Sequence, residues 1–268
     1  MENLIYHYTD LNALISIVGR ESLTFWGSRY DCMNDPLDYQ YAINRLLQPM
    51  MNVAKEDFKE QSTSPILEEL RTLPYIVSFS KKEDDFLMWR MYNAKVSLIL
   101  DMRYFNKPTP NSALIECEYV GEDDGLGLRD SFLRIDEQIH FCNNISAHTA
   151  RISTFIKNEA FEAEGEIRLA TWDYFDKDDN KVIPSDCIDK SRYVNDSIES
   201  RVNKEGKIVL YKKFDIDKNA LVGIIVHTYS ELEFNSIKEI LRSLLINREY
   251  SREVFNNIKY TSAYPFFN

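Results

Sequence analysis

The chain has 268 residues, with 32 Lys+Arg against 43 Asp+Glu, a formal charge of −11. That balance speaks against a broad nucleic-acid face, which needs clustered Lys and Arg to neutralise phosphates. The longest aliphatic runs, such as Leu221 to Val226, also fall far short of the about 20 apolar residues that a membrane-spanning helix requires. Cysteines at 32, 117, 142 and 187 lie far apart, with no C-x-x-C pair and no Cys/His cluster at metal spacing, so they read as reduced thiols and no metal is expected. Met1-Glu2-Asn3-Leu4 has no basic segment followed by an apolar one, as a secretory signal would. A cytoplasmic location without a membrane partner is the expectation. Gly is scarce and Tyr and Phe are plentiful (8 against 16 and 15), which suits a packed chain. No repeat or Pro/Gly/Ser-rich linker divides it, so residues 1–268 are expected to form a single domain.

In chain order, Leu4-Ile5-Tyr6-His7-Tyr8 alternates as a strand. Thr9 or Asp10 can cap a following helix whose apolar positions are Leu11, Leu14, Ile15 and Val18. Leu23 to Trp26 reads as a second strand. Asn34-Asp35-Pro36 is a helix start, with Asp35 as N-cap and Pro36 at the first helical position, leading into Tyr39 to Met51. Residues 52–70 are charged and helix-prone. Tyr75 to Ser80 is a strand ending in small hydroxyls, followed by a short helix carrying Leu87, Met88 and Met91. Val96 to Leu100 and Ala113 to Tyr119 are further strands. A long helical stretch is predicted from about Arg129 to Asn158, as an insertion, before Glu166 to Trp172 returns to strand. Strands at Lys207–Lys213 and Leu221–Val226, a helix from Ser230 to Leu245 and a closing strand at Asn257–Tyr260 complete the series. There is no regular β-α-β-α rhythm and no Gly-rich phosphate loop, which favours a mixed, largely antiparallel α+β fold over a doubly wound parallel sheet.

The chain lacks G-x-S-x-G, G-x-x-x-x-G-K-[ST], H-E-x-x-H and G-x-G-x-x-G. Of four histidines, His140 and His148 are eight residues apart on a predicted helix, too distant to share a metal, and read as ordinary helical residues. His7 stands between two tyrosines in a strand and is followed by the hydroxyl of Thr9. By itself it reads most simply as a half-buried histidine satisfied by its neighbours. Ser78 and Ser80 share a strand face.

Tyr6-His7-Tyr8-Thr9, Asn34-Asp35-Pro36, Ser78-Phe79-Ser80, Trp89-Arg90-Met91-Tyr92 and Phe161 to Arg168 follow one another in order. The set resembles a bacterial family of unknown function marked by Y-H-Y-T, N-D-P, S-F-S, W-R-x-Y and F-x-x-E-x-E-x-R, over about residues 4–260. In that family a Gly-containing turn follows W-R-x-Y, whereas Asn93-Ala94-Lys95 fills the place here. The layout is in turn similar to the His-Tyr-Glu arrangement of the ADP-ribosyltransferase superfamily. The resemblance implies a split sheet with flanking helices, NAD as substrate, and catalytic roles for His7, Tyr92 and Glu166. Glu166 would stabilise the oxocarbenium-like sugar as the nicotinamide–ribose bond breaks. Glu164 would orient or deprotonate the incoming nucleophile, because residues two apart on a strand face the same side. Tyr8, Thr9, Ser78 and Trp89 would help to bind NAD, with Arg90 and Arg168 as pyrophosphate partners. A macromolecular acceptor, protein or nucleic acid, is implied, with a role as a toxin or in phage defence and an antitoxin protein as a further partner.

Each residue also has a plainer reading. Glu164, Glu166 and Arg168 suit an exposed strand face with cross-strand ion pairs. Trp89 and Tyr92 suit a core, Arg90 suits pairing with Asp84 or Asp85, and Asn34-Asp35-Pro36 suits a capped turn. Lys204, Lys207, Lys212 and Lys213 suit a solvated strand edge better than a nucleic-acid contact. Two competing functions stand beside the transferase: a catalytically silent recognition module for a protein partner, and an NAD glycohydrolase in which water replaces the acceptor.

Overall fold

In the computed structural model the residues described are 3–33, 38–39, 41–46, 70–105, 112–122, 124–139, 145–176, 181–184, 198–203 and 206–262. The Asn34-Asp35-Pro36 turn, His140, Lys204 and most of the predicted helix over 52–70 lie outside them. The fold is mixed α/β, with a mostly antiparallel open sheet and flanking helices.

The first strand, β1 (Leu4–Thr9), runs into helix α1 (Leu11–Ile17). Asp10 starts that helix by accepting the Ala13 N–H at 2.8 Å. β2 (Ser22–Arg29) and β3 (Leu70–Ser80) follow, then α2 (Phe86–Met91), whose first turn is capped by Asp85, and β4 (Val96–Asp101). Asn93 adopts φ +44° just after α2, with its N–H bonded to the Arg90 carbonyl. Asparagine tolerates this left-handed conformation better than other non-glycine residues, so the turn is made without a glycine.

The predicted strand over 113–119 is two strands, β5 (Ser112–Glu116) and β6 (Glu118–Val120), which belong to different sheets. The predicted helical stretch over 129–158 is also divided. It comprises α3 (Gly125–Asp136), α4 (Ile145–Ser153) and a strand, β7 (Ile156–Asn158), that pairs parallel with β6. Near the end of α4, Ser153 and Thr154 turn their hydroxyls back onto the carbonyls of Thr149 and Ala150, which weakens helix continuation.

β8 (Glu166–Asp176), β9 (Lys181–Pro184), β10 (Glu199–Val202), β11 (Ile208–Asp217) and β12 (Leu221–His227) precede α5 (Glu231–Asn247), α6 (Arg252–Asn256) and β13 (Ile258–Thr261). β9, β10 and α6 are short elements that the sequence pattern did not announce. The main sheet follows the path β10-β11-β2-β3-β1-β4-β12-β13, with β8 against β3 and β5 and β9 against β8. One apolar cluster joins α1, α5 and α6 to the sheet through Leu14, Ile17, Phe234, Leu241, Leu245, Val254 and Phe255. A second places α3 and α4 over β3, β5 and β8 through Leu128, Ile135, Ile152, Ala113 and Ala170.

The pairing of β3 sets up the site. Along one edge it is zipped to β8 over its full length, from Leu70↔Asp176 to Ser80↔Glu166. On its other edge it meets β2 only at Ile76 and Tyr75 and β1 only at Ser80. Ser78 lies between these pairings and has no strand partner on that edge. The sheet opens there.

Candidate functional site

A cleft of about 560 Å³ occupies this opening. Its wall takes residues from both faces of the sheet, among them Tyr6, Tyr8 and Ser78 from one and His7, Phe25 and Phe79 from the other, so the cleft passes through the gap. Tyr92 lines it from the end of α2, and Arg201 from β10.

His7 is held in one tautomer. Its Nδ1 lies 3.0 Å from the Ser78 carbonyl, an acceptor only, so Nδ1 carries the proton and donates. The ring packs edge-on to Phe25, with centroids 5.1 Å apart, and tilted against Phe79 at 5.5 Å. Burial pushes its pKa down to about 4, against the smaller upward pull of the Ser78 hydrogen bond. Nε2 makes no hydrogen bond among the described residues, which leaves a neutral acceptor on a ring that lines the cleft.

The sign of the pH effect follows. Between about pH 6.5 and 4 the unfolded chain holds a proton on His7 that the folded one does not, so stability falls as pH drops through that window. The His7 imidazole is expected to remain neutral in NMR titration down to about pH 4. His7→Gln should remove that part of the pH slope; protonation near pH 6.5 would show the ring to be solvated.

Tyr8 and Tyr6 fasten the loop between β3 and α2. The Tyr8 hydroxyl donates to the Lys82 carbonyl at 2.6 Å and accepts the Asp85 N–H at 3.0 Å, while Tyr6 donates to Glu83 Oε2 at 3.1 Å. Trp89 is buried edge-on against Tyr8 and donates its Nε1–H to Asp84 at 2.8 Å, so it supports the cleft from behind. Arg90 is exposed and makes no ion pair among the described residues: Asp84 is occupied by Trp89 and Thr261, and Asp85 by the start of α2.

The two glutamates and Arg168 are not an exposed strand face. Glu164 and Glu166 are each 4% exposed and Arg168 1%, in a buried ion network with Lys157 and Asp38. Lys157 Nζ lies 2.7 Å from an oxygen of each glutamate. Arg168 donates from Nε to Glu166 Oε1 at 2.9 Å, from Nη1 to the Thr154 carbonyl at 2.7 Å, and from Nη2 to Asp38. Burial raises the Glu166 pKa, but Arg168 and Lys157 outweigh it and hold the carboxyl near 2. Against desolvation, Glu166 and Asp38 push Lys157 and Arg168 upward, so Glu166, Lys157 and Arg168 are all charged at neutral pH.

Glu164 is not two strand positions before Glu166, as the E-x-E spacing suggests. It ends a 3-10 turn, and Gly165 at φ +53° makes the bend into β8. The bend, rather than strand alternation, brings both carboxylates to Lys157. Both oxygens of Glu166 are engaged, and its backbone N–H donates to the Tyr119 hydroxyl at 2.7 Å. Glu164 differs: Oε2 meets Lys157, while Oε1 makes no hydrogen bond among the described residues.

Ladder pairing sets His7 apart from this network. Tyr6, Ser80 and Glu166 stand opposite one another and share a face, so His7 leaves the sheet on the other, with Phe79 and Ile167. Tyr92 links the two regions. Its ring lines the cleft at 37% exposure, and its hydroxyl is held in the protonated form first by desolvation and then by the charges of Glu166 and Glu164.

Thus His7 and Thr9 from one sheet face, Tyr8 and Ser78 from the other, and Tyr92 line the same cleft, whereas Glu164, Glu166, Arg168, Trp89 and Arg90 do not line it. Arg168 spends four of its five N–H groups within the network, and Arg201 is the arginine on the wall. Sequence reasoning missed Lys157, Asp38 and Arg201; the first two are isolated charges in apolar or helical context and acquire meaning only through tertiary pairing. Among the supposed surface lysines, Lys212 is buried on Asp173 at 2.6 Å and Lys213 pairs with Glu199 at 2.7 Å. His148 is a core residue bonded to Asp136 at 2.5 Å. No group of three or more His, Cys, Asp or Glu among the described residues is placed to hold a metal ion, and none of the described helices is long and apolar enough to cross a membrane.

Comparison of the chain with protein-family models, curated proteins and solved structures finds no match.

Proposed function

We propose that the cleft binds NAD and that the protein is an ADP-ribosyltransferase-like enzyme acting on a macromolecule. The observation that carries this reading is Tyr92, an aromatic ring on the cleft wall that feels the charge of Glu164 and Glu166 at its hydroxyl. A ligand ring stacked on Tyr92 would have carboxylate charge close by as its glycosidic bond broke. In the reaction the C–N bond to nicotinamide breaks with its electron pair leaving on nicotinamide, and an acceptor nucleophile bonds the ribose carbon while losing a proton.

The residues divide the work. His7 Nε2, a neutral acceptor, suits a ribose hydroxyl. Glu164, set back from the cleft wall with one oxygen unbonded among the described residues, suits the proton of the acceptor or the developing positive charge. Glu166 acts behind it: fully engaged, it holds Lys157 and Arg168 and maintains the local field.

One observation favours a second reading. Saturation of both Glu166 oxygens is what a purely structural ion network requires, and a silent module that binds a protein partner would look the same. Incubating wild type, Glu164→Gln and His7→Ala with labelled NAD and a bacterial lysate separates the two. Transfer is expected to label protein or RNA, to release nicotinamide, and to fall by about 10²–10³-fold in Glu164→Gln, the usual range for losing one transition-state-stabilising group. Release of free ADP-ribose without labelled macromolecule would identify a glycohydrolase. Neither label nor nicotinamide release would end the enzymatic reading and leave the binding module.

A further inference from the structure

Arg201 is an arginine built into the cleft wall that spends none of its hydrogen-bonding capacity on the described residues. It stands on β10 opposite Val209, and the register Glu199↔Tyr211 and Tyr211↔Ser28 puts Arg201, Tyr211 and Ser28 on one face of the sheet, together with Trp26. Trp26 and Tyr211 stack at 4.9 Å with 23° between their planes. The Arg201 guanidinium lies over both rings, 5.3 Å from Trp26 and 5.8 Å from Tyr211. Such stacking orients a guanidinium plane without consuming its N–H groups.

Its neighbours do not neutralise it. Glu199, the nearest acid along the strand, accepts from the Tyr211 hydroxyl at 2.8 Å through Oε2 and pairs with Lys213 at 2.7 Å through Oε1. Asp10, on the cleft wall, caps α1 through the Ala13 N–H. Arg201 makes no hydrogen bond or ion pair among the described residues, and it lines the same cleft as His7 and Tyr92. In a chain of net charge −11, a guanidinium that pairs with no carboxylate among the described residues and lies over two aromatic rings is arranged for an anion from outside.

The position indicates the kind of anion. β11 and β2 lie between β10, which carries Arg201, and the gap, two inter-strand steps of about 4.8 Å, or about 10 Å, and the pairing Ser28↔Ile76 puts Arg201 on the face of Tyr6 and Ser78, opposite His7. A ligand touching both His7 and Arg201 must therefore pass through the gap and be elongated, with hydroxyl and ring groups at one end and anionic oxygens further along. We propose that Arg201, mounted on Trp26 and Tyr211, is the phosphate-binding residue of the cleft and that the ligand class is a nucleoside diphosphate or its ester. The proposal deepens the NAD reading by naming the residue that holds the diphosphate, yet it concerns binding and not the transfer step.

Isothermal titration of the full chain with ADP, inorganic pyrophosphate and adenosine tests it, using wild type, Arg201→Gln and Arg201→Lys. Arg201 is exposed on its strand, so both variants should melt with the wild type. ADP and pyrophosphate are expected to bind wild type, more weakly as salt is raised. Arg201→Gln should weaken ADP by about ten- to a hundredfold, the worth of a charge-assisted hydrogen-bond pair, with Arg201→Lys in between. Adenosine should be indifferent to the substitution. Equal ADP affinity in wild type and Arg201→Gln, or no ADP binding by wild type, would overturn the proposal. Arg201-dependent ADP binding without any NAD turnover would uphold this subsite and end the transferase reading. NAD turnover with an unchanged KM in Arg201→Gln would uphold the transferase and overturn the subsite.

Discussion

Lys157→Met is expected to lower the unfolding free energy by about 3–5 kcal/mol, the usual cost of removing one partner from a buried ion network. Lys157 is 5% exposed and places its ammonium 2.7 Å from both Glu164 and Glu166 and 3.7 Å from Asp38. Without it, three carboxylates share the single guanidinium of Arg168, and one of them must take up a proton for the chain to fold. The pH dependence should change accordingly. A carboxyl whose folded pKa is raised contributes stability at low pH that is lost as pH rises, so the variant should weaken from about pH 4 towards 8, where wild type does not. Denaturant melts across that range give the comparison. Adding Glu164→Gln removes one of the surplus charges and should restore about 1–3 kcal/mol. A double variant no more stable than Lys157→Met would show that packing of the lysine stem, rather than its charge, was lost.

Glu166→Gln is the second large effect, and it falls on folding as much as on chemistry. The amide keeps the size of the side chain but leaves Arg168 and Lys157 with one carboxylate fewer, which is expected to cost about 3–5 kcal/mol at pH 7. The folded pKa of Glu166 is depressed from 4.5 to about 2, so the stability it contributes is complete above about pH 5 and is lost as pH falls through the folded value. That shift corresponds to roughly 3 kcal/mol. The gap in stability between wild type and Glu166→Gln should therefore be widest near neutrality and narrow towards pH 2. A gap that is constant with pH would place the acid-labile charge elsewhere in the network. Because this variant loses stability, Glu164→Gln is the cleaner probe of transfer: Glu164 has one ion-pair partner where Glu166 has two.

Alternation and capping made much of the fold legible. β1, α1, β4, β12 and α5 follow from apolar periodicity, and Asp10 and Ser230 mark helix starts by bonding N–H groups of the first turn. Periodicity failed where the chain changes partner without changing composition. The strand over 113–119 breaks at Cys117 because Glu118 onward pairs with β7, and the stretch after Arg129 becomes two helices and a strand because β6 offers Ile156 a parallel edge. A single residue window carries no record of an edge supplied by a distant segment.

The sequence by itself determined that the chain is acidic, that strands and helices are interleaved without a parallel rhythm, and that His7, Tyr92 and an E-x-E-x-R segment are the residues to follow. Tertiary structure alone decided what each of them is. It set His7 on the wall of a gap, because β3 has no strand partner at Ser78 on the edge that meets β1 and β2. It buried the E-x-E-x-R segment against Lys157, because Gly165 takes the left-handed bend before β8. It brought Arg201 over Trp26 and Tyr211 through strand register between segments far apart in the chain. Local pattern specifies which face of an element is apolar; the desolvation and pairing of charges depend on which elements meet, and that is a property of the assembled sheet.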